Sequence, residues 1–524
     1  MSEELVNLTI DSAPVSVPKG TLVIEAAKQA GVLVPHYCYH PGLPVAGVCR
    51  MCLVEIEKAP KLQIACSTQV AEGMVVRTQS RQAKEGRKGV LELLLINHPL
   101  DCPICDQAGE CELQDFTFQE GRPATRYSPD FAKRFNPVED FGPDVLYVPN
   151  RCILCTRCVR FMEDVAQEPV LNVSERGDRA FIGIHPDTRL DHPWAGNVVD
   201  LCPVGSLLSK DFLHKARAWE LDKTASICTG CSQGCNVTVD TRDAVVVRLR
   251  PRPNLEVNRY FMCDHGRASY RWMNRGDRLD RPLVRRPDGE HRAVDWDEAL
   301  ERAAGLLRGA GGQAVALVSP RASTEALFLA RQVLSTFAWT GAYQLVMGEE
   351  APLSGVPNLA LRAERAPNGT GADLLGYTRD FRTALDAAEH AAVVLVVDEP
   401  ELAVQSGGSV IYLGTTLPDG GAGALRKADV MLPIATVVEE DGTFVNRDGR
   451  VQRYLQAKAA PGMAQPAWWV LAELLALLER GTHVTRADEV FDLLAASVPA
   501  FAGLSYGAIG FQGRVVPVMA EAHA

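Results

Sequence analysis

Fifteen cysteines stand in this 524-residue chain, in four groups, and none follows Cys263. The opening MSEELVNLTI carries two acids where a secretory signal needs positive charge, and no apolar stretch follows it. The sequence therefore predicts a protein kept in the cytoplasm, where thiols stay reduced and clustered cysteines bind metal rather than pair as disulfides. Each group must then fold its sulfurs around an inorganic centre, which dictates small, loop-rich domains over the first half. A chain of this length is also too long for one hydrophobic core. With 47% hydrophobic and 23% charged residues, it has the composition of a globular protein. The net charge of −11 argues against a nucleic-acid-binding face. The arginines between Arg248 and Arg292 are interleaved with Glu256, Asp264, Asp277, Asp280 and Asp288, as on a solvated surface. The longest apolar runs, such as 391–397, are too short to span a membrane.

The first group is Cys38-x10-Cys49-x2-Cys52-x13-Cys66. Val6, Leu8 and Ile10 alternate as a strand, 11–14 reads as a turn, and Thr21 is placed to cap a helix through Ala26, Ala27 and Ala30 that Gly31 closes. Strand signals return at 53–56 and 74–76. This order, with a cysteine loop after the helix, is the plan of plant-type ferredoxins, which hold a [2Fe–2S] cluster, although the x10 gap departs from their spacing. The second group, His98-x3-Cys102-x2-Cys105-x5-Cys111, follows an amphipathic helix bearing Val90, Leu91, Leu94 and Leu95 that stops near Pro99. Three thiolates leave one iron of a cubane without a protein ligand, and an imidazole can complete the set. The third group is Cys152-x2-Cys155-x2-Cys158 with a remote Cys202-Pro203. Met162 occupies the place where a two-cluster ferredoxin would put its next cysteine, so these four residues make one [4Fe–4S] site. The fourth is Cys228-x2-Cys231-x3-Cys235-x27-Cys263, with Thr229, Gly230, Ser232 and Gly234 letting the loop approach a cluster closely. Zinc ribbons use two separated cysteine pairs, and three of the four groups are not built that way.

Beyond residue 221 the pattern changes. Helical stretches over 297–307 and 324–337 alternate with the apolar runs 314–318, 393–397 and 410–413, which have the length and composition of buried parallel strands in an open α/β sheet. The loop 419–423 (Asp-Gly-Gly-Ala-Gly) reads as a surface turn before a phosphate cradle. Trp468, Trp469, Leu471, Leu474, Leu475 and Leu478 form the stripe of a packed helix, with a partner-binding face as the alternative. No Gly-x-Gly-x-x-Gly follows a strand, so hydride chemistry belongs on a partner.

Several stretches resemble one family. Pro35-His36-Tyr37-Cys38-Tyr39-His40 and Cys49-Arg50-Met51-Cys52 are similar to the [2Fe–2S] domain that opens complex I large subunits and some hydrogenases. The run from Asn97 through Asp106, with Gly109-Glu110-Cys111-Glu112-Leu113-Gln114-Asp115, resembles the His/Cys3 cluster segment of complex I. The fourth spacing resembles the [4Fe–4S] domain of molybdopterin oxidoreductases. The stretches 278–285, 295–300, 428–433, 439–446 and 449–452 resemble parts of the same fold.

The resemblance implies the large iron–sulfur subunit of bacterial NADH-quinone oxidoreductase, multidomain α+β and α/β. A [2Fe–2S] ferredoxin-like domain would cover 1–79, a His/Cys3 [4Fe–4S] segment 80–120, and a [4Fe–4S] ferredoxin-like domain 121–220. A molybdopterin-oxidoreductase-type [4Fe–4S] domain would follow over 221–277, with an abbreviated molybdopterin-oxidoreductase-like α/β domain and C-terminal helices over 278–524. It implies one [2Fe–2S] cluster on Cys38, Cys49, Cys52 and Cys66. It implies three [4Fe–4S] clusters on His98, Cys102, Cys105 and Cys111, on Cys152, Cys155, Cys158 and Cys202, and on Cys228, Cys231, Cys235 and Cys263. No molybdopterin is expected, since no cysteine follows Cys263 and only about 70 residues follow Gln452. The implied role is a single-electron relay from a flavin subunit toward quinone, coupled to proton translocation in the whole complex. No active site is complete on the chain alone. The implied partners are the flavin/NADH-binding subunit and other peripheral-arm subunits, on the cytoplasmic face of the plasma membrane, with no nucleic acid and no membrane insertion. An iron-only hydrogenase would need further cysteines, and an NAD-linked formate dehydrogenase a complete pterin domain with a metal ligand.

Overall fold

The computed structural model describes residues 4–128, 133–399, 402, 404, 406–418, 427–481 and 483–517, so the Gly-rich loop 419–423 lies outside the described residues. The chain divides into two compact units. One comprises Met1–Leu221 with Leu353–Pro357, the other Asp222–Pro352 with Asn358–Ala524.

In the first unit, strands Leu5–Ile10 and Ala13–Pro18 pair as a hairpin. Its two loop residues, Asp11 and Ser12, both take positive φ (44° and 75°), the twist that a two-residue hairpin turn needs. The sheet runs Ala13–Pro18, Leu5–Ile10, Met74–Arg77, Leu53–Ile56, Gln63–Ile64, with the second and third strands parallel and the other pairs antiparallel. Val6, Leu8 and Ile10 face inward against Val23, Ile24, Ala26 and Ala27 of helix Val23–Gln29. Thr21 does not cap this helix. Its hydroxyl donates to the Pro18 carbonyl at 2.6 Å, closing the preceding turn, and Leu22 takes the cap position without a side-chain acceptor. Gly31 ends the helix at φ 74°, a left-handed position that a glycine takes without strain.

Helix Arg81–Asn97 starts on Ser80, whose Oγ accepts from Ala83 N at 3.2 Å. It ends at His98, which is extended (φ −65°, ψ 127°) because the ring of Pro99 disfavours helical backbone in the residue before it. Buried Arg87 docks the helix onto the first sheet, donating to Leu53 O and Thr78 O at 3.1 and 2.9 Å and pairing with Glu120 at 3.1 Å. A small sheet follows, with Val145–Tyr147 between Leu207–Ser209 and Glu139–Asp140, and then the hairpin Leu171–Ser174/Phe181–Ile184.

The second unit opens with the antiparallel strands Asp222–Ile227, Asn236–Arg242 and Val245–Pro251. Its main sheet has seven strands, in the order His291–Ala293, Leu283–Arg285, Val430–Pro433, Ser409–Gly414, Val393–Val397, Gln313–Val318, Ala338–Tyr343. The last five are mutually parallel and the first two antiparallel. The three apolar runs are thus parallel strands. Ala314, Ala316, Val318, Val393, Leu395 and Val397 face one core, while Val315, Leu317, Val394 and Val396 face another, which is why the runs show no polar alternation.

Helix Trp296–Gly309 is capped by Asp295, which accepts from Glu298 N at 2.9 Å. The helix expected to reach residue 337 stops at Val333, because strand Ala338–Tyr343 begins so soon after. Helix Ala467–Leu477 buries Trp468, Leu471, Leu474 and Leu475 in the larger core, so the stripe is a packing face. A further antiparallel sheet joins Gly442–Val445, Arg450–Tyr454 and Arg514–Val515. Among the described residues no helix is long and apolar enough to cross a membrane.

Candidate metal centres

The first cysteine group gathers on the edge of the ferredoxin-like sheet. Cys38, Cys52 and Cys66 are buried and Cys49 half-buried. Cys49 Sγ accepts from the Cys38 amide at 3.5 Å, and Arg50 takes positive φ (58°) where the loop folds back between Cys49 and Cys52. The sulfurs contact one another. Hydrogen bonding from Cys49 and then Cys66 holds the Cys38 thiol well below its ordinary range, while Cys49 and Cys66 are pushed up, chiefly by sharing a proton with Cys38. Side-chain hydrogen bonds thus link Cys38 with Cys49 and Cys66, and Cys66 with Cys52.

In the second group Cys105 and Cys111 are buried and Cys102 is exposed. Cys111 feels the charge of both Cys105 and Cys102, and burial pushes its thiol up to about 11. Arg151, anchored to Asp101 at 2.9 Å, acts electrostatically on both Cys105 and His98. The His98 Nδ1 is buried without a hydrogen-bond partner. Burial first, then Lys133, lowers the imidazole to about 4, so the ring is neutral at physiological pH, the form that ligates metal. Gly205 packs directly on Cys105, and a Cβ there would overlap the Cys105 sulfur.

The third group lines a small, partly open cavity. Cys152, Cys155, Cys158 and Cys202 all line it, with Tyr147, Ile182 and Ser206, and its volume is about 20 Å³. Leu154 and Thr156, flanking Cys155, both take positive φ (53° and 59°), unusual for side-chain-bearing residues; these turns bring three sulfurs to one side. Leu154 N donates to Cys152 Sγ at 3.4 Å. Burial pushes Cys152 and Cys202 up to about 11, Cys155 to about 12, and Cys158 well up too. Past Cys158 the helix widens into an i→i+5 turn, with Ala166 N donating to Phe161 O at 2.8 Å, and Met162 is wholly buried there.

The fourth group lies in the second unit, at the end of its first hairpin, where Cys228 N donates to Cys235 O at 2.8 Å. All four cysteines are buried. Amides of Gly230 and Gly266 donate to Cys228 Sγ and Cys263 Sγ at 3.4 and 3.3 Å. A Cβ on Gly266 would come within 2.9 Å of Cys228 Sγ, so only glycine lets the backbone pass there. Burial pushes Cys228 up to about 12, and Cys235 and Cys263 up as well.

The structure thus gathers each cysteine group, and His98 has a buried unpartnered nitrogen and shares the influence of Arg151 with Cys105. Among the described residues no three His, Cys, Asp or Glu side chains converge on a single-ion position. A cluster several ångströms across needs a wider ring of sulfurs than one ion, and the donor chemistry, all thiolate and imidazole, suits iron–sulfur centres. Cys38, Cys111 and Cys155 share one apolar cluster with Tyr37, Met51, Phe116 and Ile153, so the three sites of the first unit are neighbours. Two arginines also join them, and sequence reasoning did not single these out. Arg157 donates to Glu112 Oε1 at 3.1 Å and to Tyr39 O at 2.8 Å, and Arg160 reaches the Cys38 and Cys155 carbonyls. Both sit inside the motif Cys155-Thr156-Arg157-Cys158-Val159-Arg160, where a doubled basic residue among ligands was the available signal.

Comparison with known proteins follows the same order of sites. Residues 3–81 match a 2Fe-2S iron-sulfur cluster binding domain, 87–126 the NADH-ubiquinone oxidoreductase-G iron-sulfur binding region, and 142–208 the ferredoxin-like domain of NADH-quinone oxidoreductase subunit 3. Residues 221–275 match the molybdopterin oxidoreductase Fe4S4 domain, and 278–358 with 410–477 molybdopterin oxidoreductase. The G subunit of NADH-quinone oxidoreductase from Rickettsia bellii is 41% identical over 331 residues, 63% of this chain and 48% of that protein. The chain is a relative of the NADH-quinone oxidoreductase G subunits. The mitochondrial 78 kDa subunit of NADH-ubiquinone oxidoreductase from Neurospora crassa is 47% identical over 295 residues, 56% of this chain and 39% of that protein. The chain spans about half the length, or less, of these curated relatives. A solved chain of an NAD+-reducing [NiFe]-hydrogenase is 30% identical with a TM-score of 0.37, covering 40% of this chain and 90% of that one.

Proposed function

We propose that the chain is an electron-transfer subunit of an NADH:quinone oxidoreductase. It relays single electrons from a flavin-bearing subunit toward quinone, in a complex that translocates protons. The observation that carries this reading is the third site, where two buried and two half-buried cysteines line one small cavity, with left-handed turns at Leu154 and Thr156 beside it. Iron–sulfur clusters supply one-electron chemistry when bound, with potentials set by ligand type, hydrogen bonds and burial.

The chain's own part is to hold and insulate them. Cys38, Cys49, Cys52 and Cys66 would hold a [2Fe–2S] cluster. Three [4Fe–4S] clusters would be held by His98 with Cys102, Cys105 and Cys111, by Cys152, Cys155, Cys158 and Cys202, and by Cys228, Cys231, Cys235 and Cys263. The amides of Leu154, Gly230 and Gly266 donate to ligand sulfurs, which favours the reduced state. The domain limits proposed from the sequence fit this assignment, with each of the first four segments carrying one site. Hydride transfer and quinone binding would lie on partner subunits of the peripheral arm, at the cytoplasmic face of the membrane.

Anaerobically prepared protein should contain about 14 iron atoms per chain with matching acid-labile sulfide. A colourless, zinc-containing protein without sulfide would falsify the assignment. The fit of the second site gives a further expected result. Gly205→Ala should displace Cys105 and selectively lose the EPR signal of one [4Fe–4S] centre, with about four fewer iron atoms per chain. Full iron content and an unchanged spectrum would show that Cys105 is not a ligand.

A further inference from the structure

Arg160 lies two residues past Cys158, and its guanidinium serves two sites at once. Nη2 donates to Cys38 O at 2.6 Å and to Cys155 O at 3.3 Å. Nη1 donates to Pro44 O, and Nε to Thr156 Oγ1 at 3.3 Å. The residue is 9% exposed. Arg157 beside it is paired with Glu112, whereas among the described residues Arg160 has no carboxylate within ion-pair distance. Asp164 acts on it more weakly than Cys155 and Cys38, and the like charge of Arg157 opposes them. A guanidinium stays charged at any physiological pH, and burying one without a countercharge is costly. The carbonyl oxygens solvate this one, and the remaining anions that face it belong to the Cys38 and Cys155 ligand sets.

We infer that Arg160 is a positioning residue shared by the first and third centres, whose single buried charge raises the reduction potential of both. This rests on the ligand sets proposed above. Each centre gains one negative charge on reduction, and a fixed cation bonded to a ligand carbonyl of each stabilises that charge at both. Sharing one cation also keeps the two potentials in step, since any change at residue 160 moves them together. Arginine suits the place because its planar fork reaches both carbonyls at once, and a lysine ammonium cannot match that geometry.

The test is a redox titration followed by EPR on the whole anaerobic chain, comparing wild type with R160M, R160Q and R160K. In R160M and R160Q the reduction equilibria of both centres should shift at least tenfold toward the oxidised form, about 59 mV for one electron. R160K, which keeps the charge, should recover most of that shift at one or both centres. The fourth-site signal should not move. Unchanged potentials in neutral variants that hold all their clusters would overturn the inference, and so would a shift at one centre alone. Loss of the clusters in all three variants, beside a fully loaded wild type, would mean that Arg160 is structural and would overturn it too. A wild-type chain without the two clusters would instead overturn the ligand reading beneath it.

Discussion

His98→Ala should lose one [4Fe–4S] centre and spare the other clusters, while His98→Cys should keep that centre at a lower potential. The geometry leads to both outcomes. Pro99 forces His98 out of the helix that precedes it, so the ring is carried by an extended residue and its Nδ1 is buried with nothing to bond. An unmade hydrogen bond in a buried site costs roughly 1–3 kcal/mol, which a bond to iron removes. Alanine would leave one corner of the cluster open beside Cys102, the one exposed thiol of the fifteen. Chelators and oxygen should then strip the centre at least about tenfold faster than in wild type, by the scale of losses seen when a metal site loses a supporting group. Cysteine would restore four ligands but donate more negative charge than imidazole, lowering the potential on the order of 100 mV, scaled from centres in which two histidines replace two cysteines. EPR with potentiometry on both variants decides the matter. Wild-type spectra and potentials in both would remove His98 from the ligand set.

Legibility in the sequence followed the physical range of each signal. Val6, Leu8 and Ile10 announce a half-buried strand because period-two alternation is local, and the runs 314–318, 393–397 and 410–413 announce buried strands because both faces are covered. Cysteine spacing is equally local, since three thiols within seven residues, Cys152, Cys155 and Cys158, are brought to one cavity by the chain's own turns. Thr21 misled because a hydroxyl before a helix can cap it or turn back, and Pro18 O, at the end of the hairpin, took the bond. The far end of helix Thr324–Val333 was set by the strand that follows it, a tertiary constraint without a local marker.

Arg160 is marked in sequence by its place in the cysteine motif, but its long-range contacts are not. Beside Cys155 O and Thr156 Oγ1, its partners are main-chain carbonyls 116 and 122 residues away, and a carbonyl carries no sequence identity. Gly205 is similar, because what it touches, Cys105, is fixed by the crossing of two loops. The same holds for two acids of the second unit. Glu325 and Glu440 each follow a polar residue, Thr324 and Glu439, with no local mark of burial, yet both are buried.

Those two carboxyls give the second large expected effect, a loss of stability with rising pH that Glu440→Gln should relieve. Glu440 Oε1 is bonded to Tyr454 Oη at 2.9 Å, and its Oε2 accepts from Ala467 N at 3.3 Å. Glu325 accepts from Thr443 N, Thr443 Oγ1 and Tyr506 Oη at 2.9, 3.0 and 2.7 Å. Among the described residues neither acid has an ion pair with a cation within 4 Å. Burial pushes Glu440 up to about 8, with Glu325 adding repulsion, and pushes Glu325 up to about 7 against the pull of its three donors.

In the unfolded chain both acids release their protons near the ordinary value of 4.5. Between about pH 5 and pH 8 the folded state therefore holds protons that the unfolded state has already given up. Raising the pH through that window favours unfolding, by at most about 1.4 kcal/mol per pH unit for each proton held. Above it both states are ionised and the loss is complete; below 4.5 both states are protonated and nothing is lost. The charge of Glu325 adds to the burial that keeps Glu440 protonated. Glutamine at 440 keeps an oxygen for the Ala467 amide and an NH2 for the Tyr454 oxygen, while abolishing the charge. E440Q should match wild type at pH 5 and exceed it at pH 8.5 by on the order of 3 kcal/mol. Urea unfolding read through tryptophan fluorescence, Trp468 lying within two residues of Pro466 and next to Ala467, should show a flatter pH dependence in the variant. Parallel wild-type and variant curves from pH 5 to 8.5 would mean that Glu440 is ionised in the folded protein, with its burial compensated by groups other than a proton.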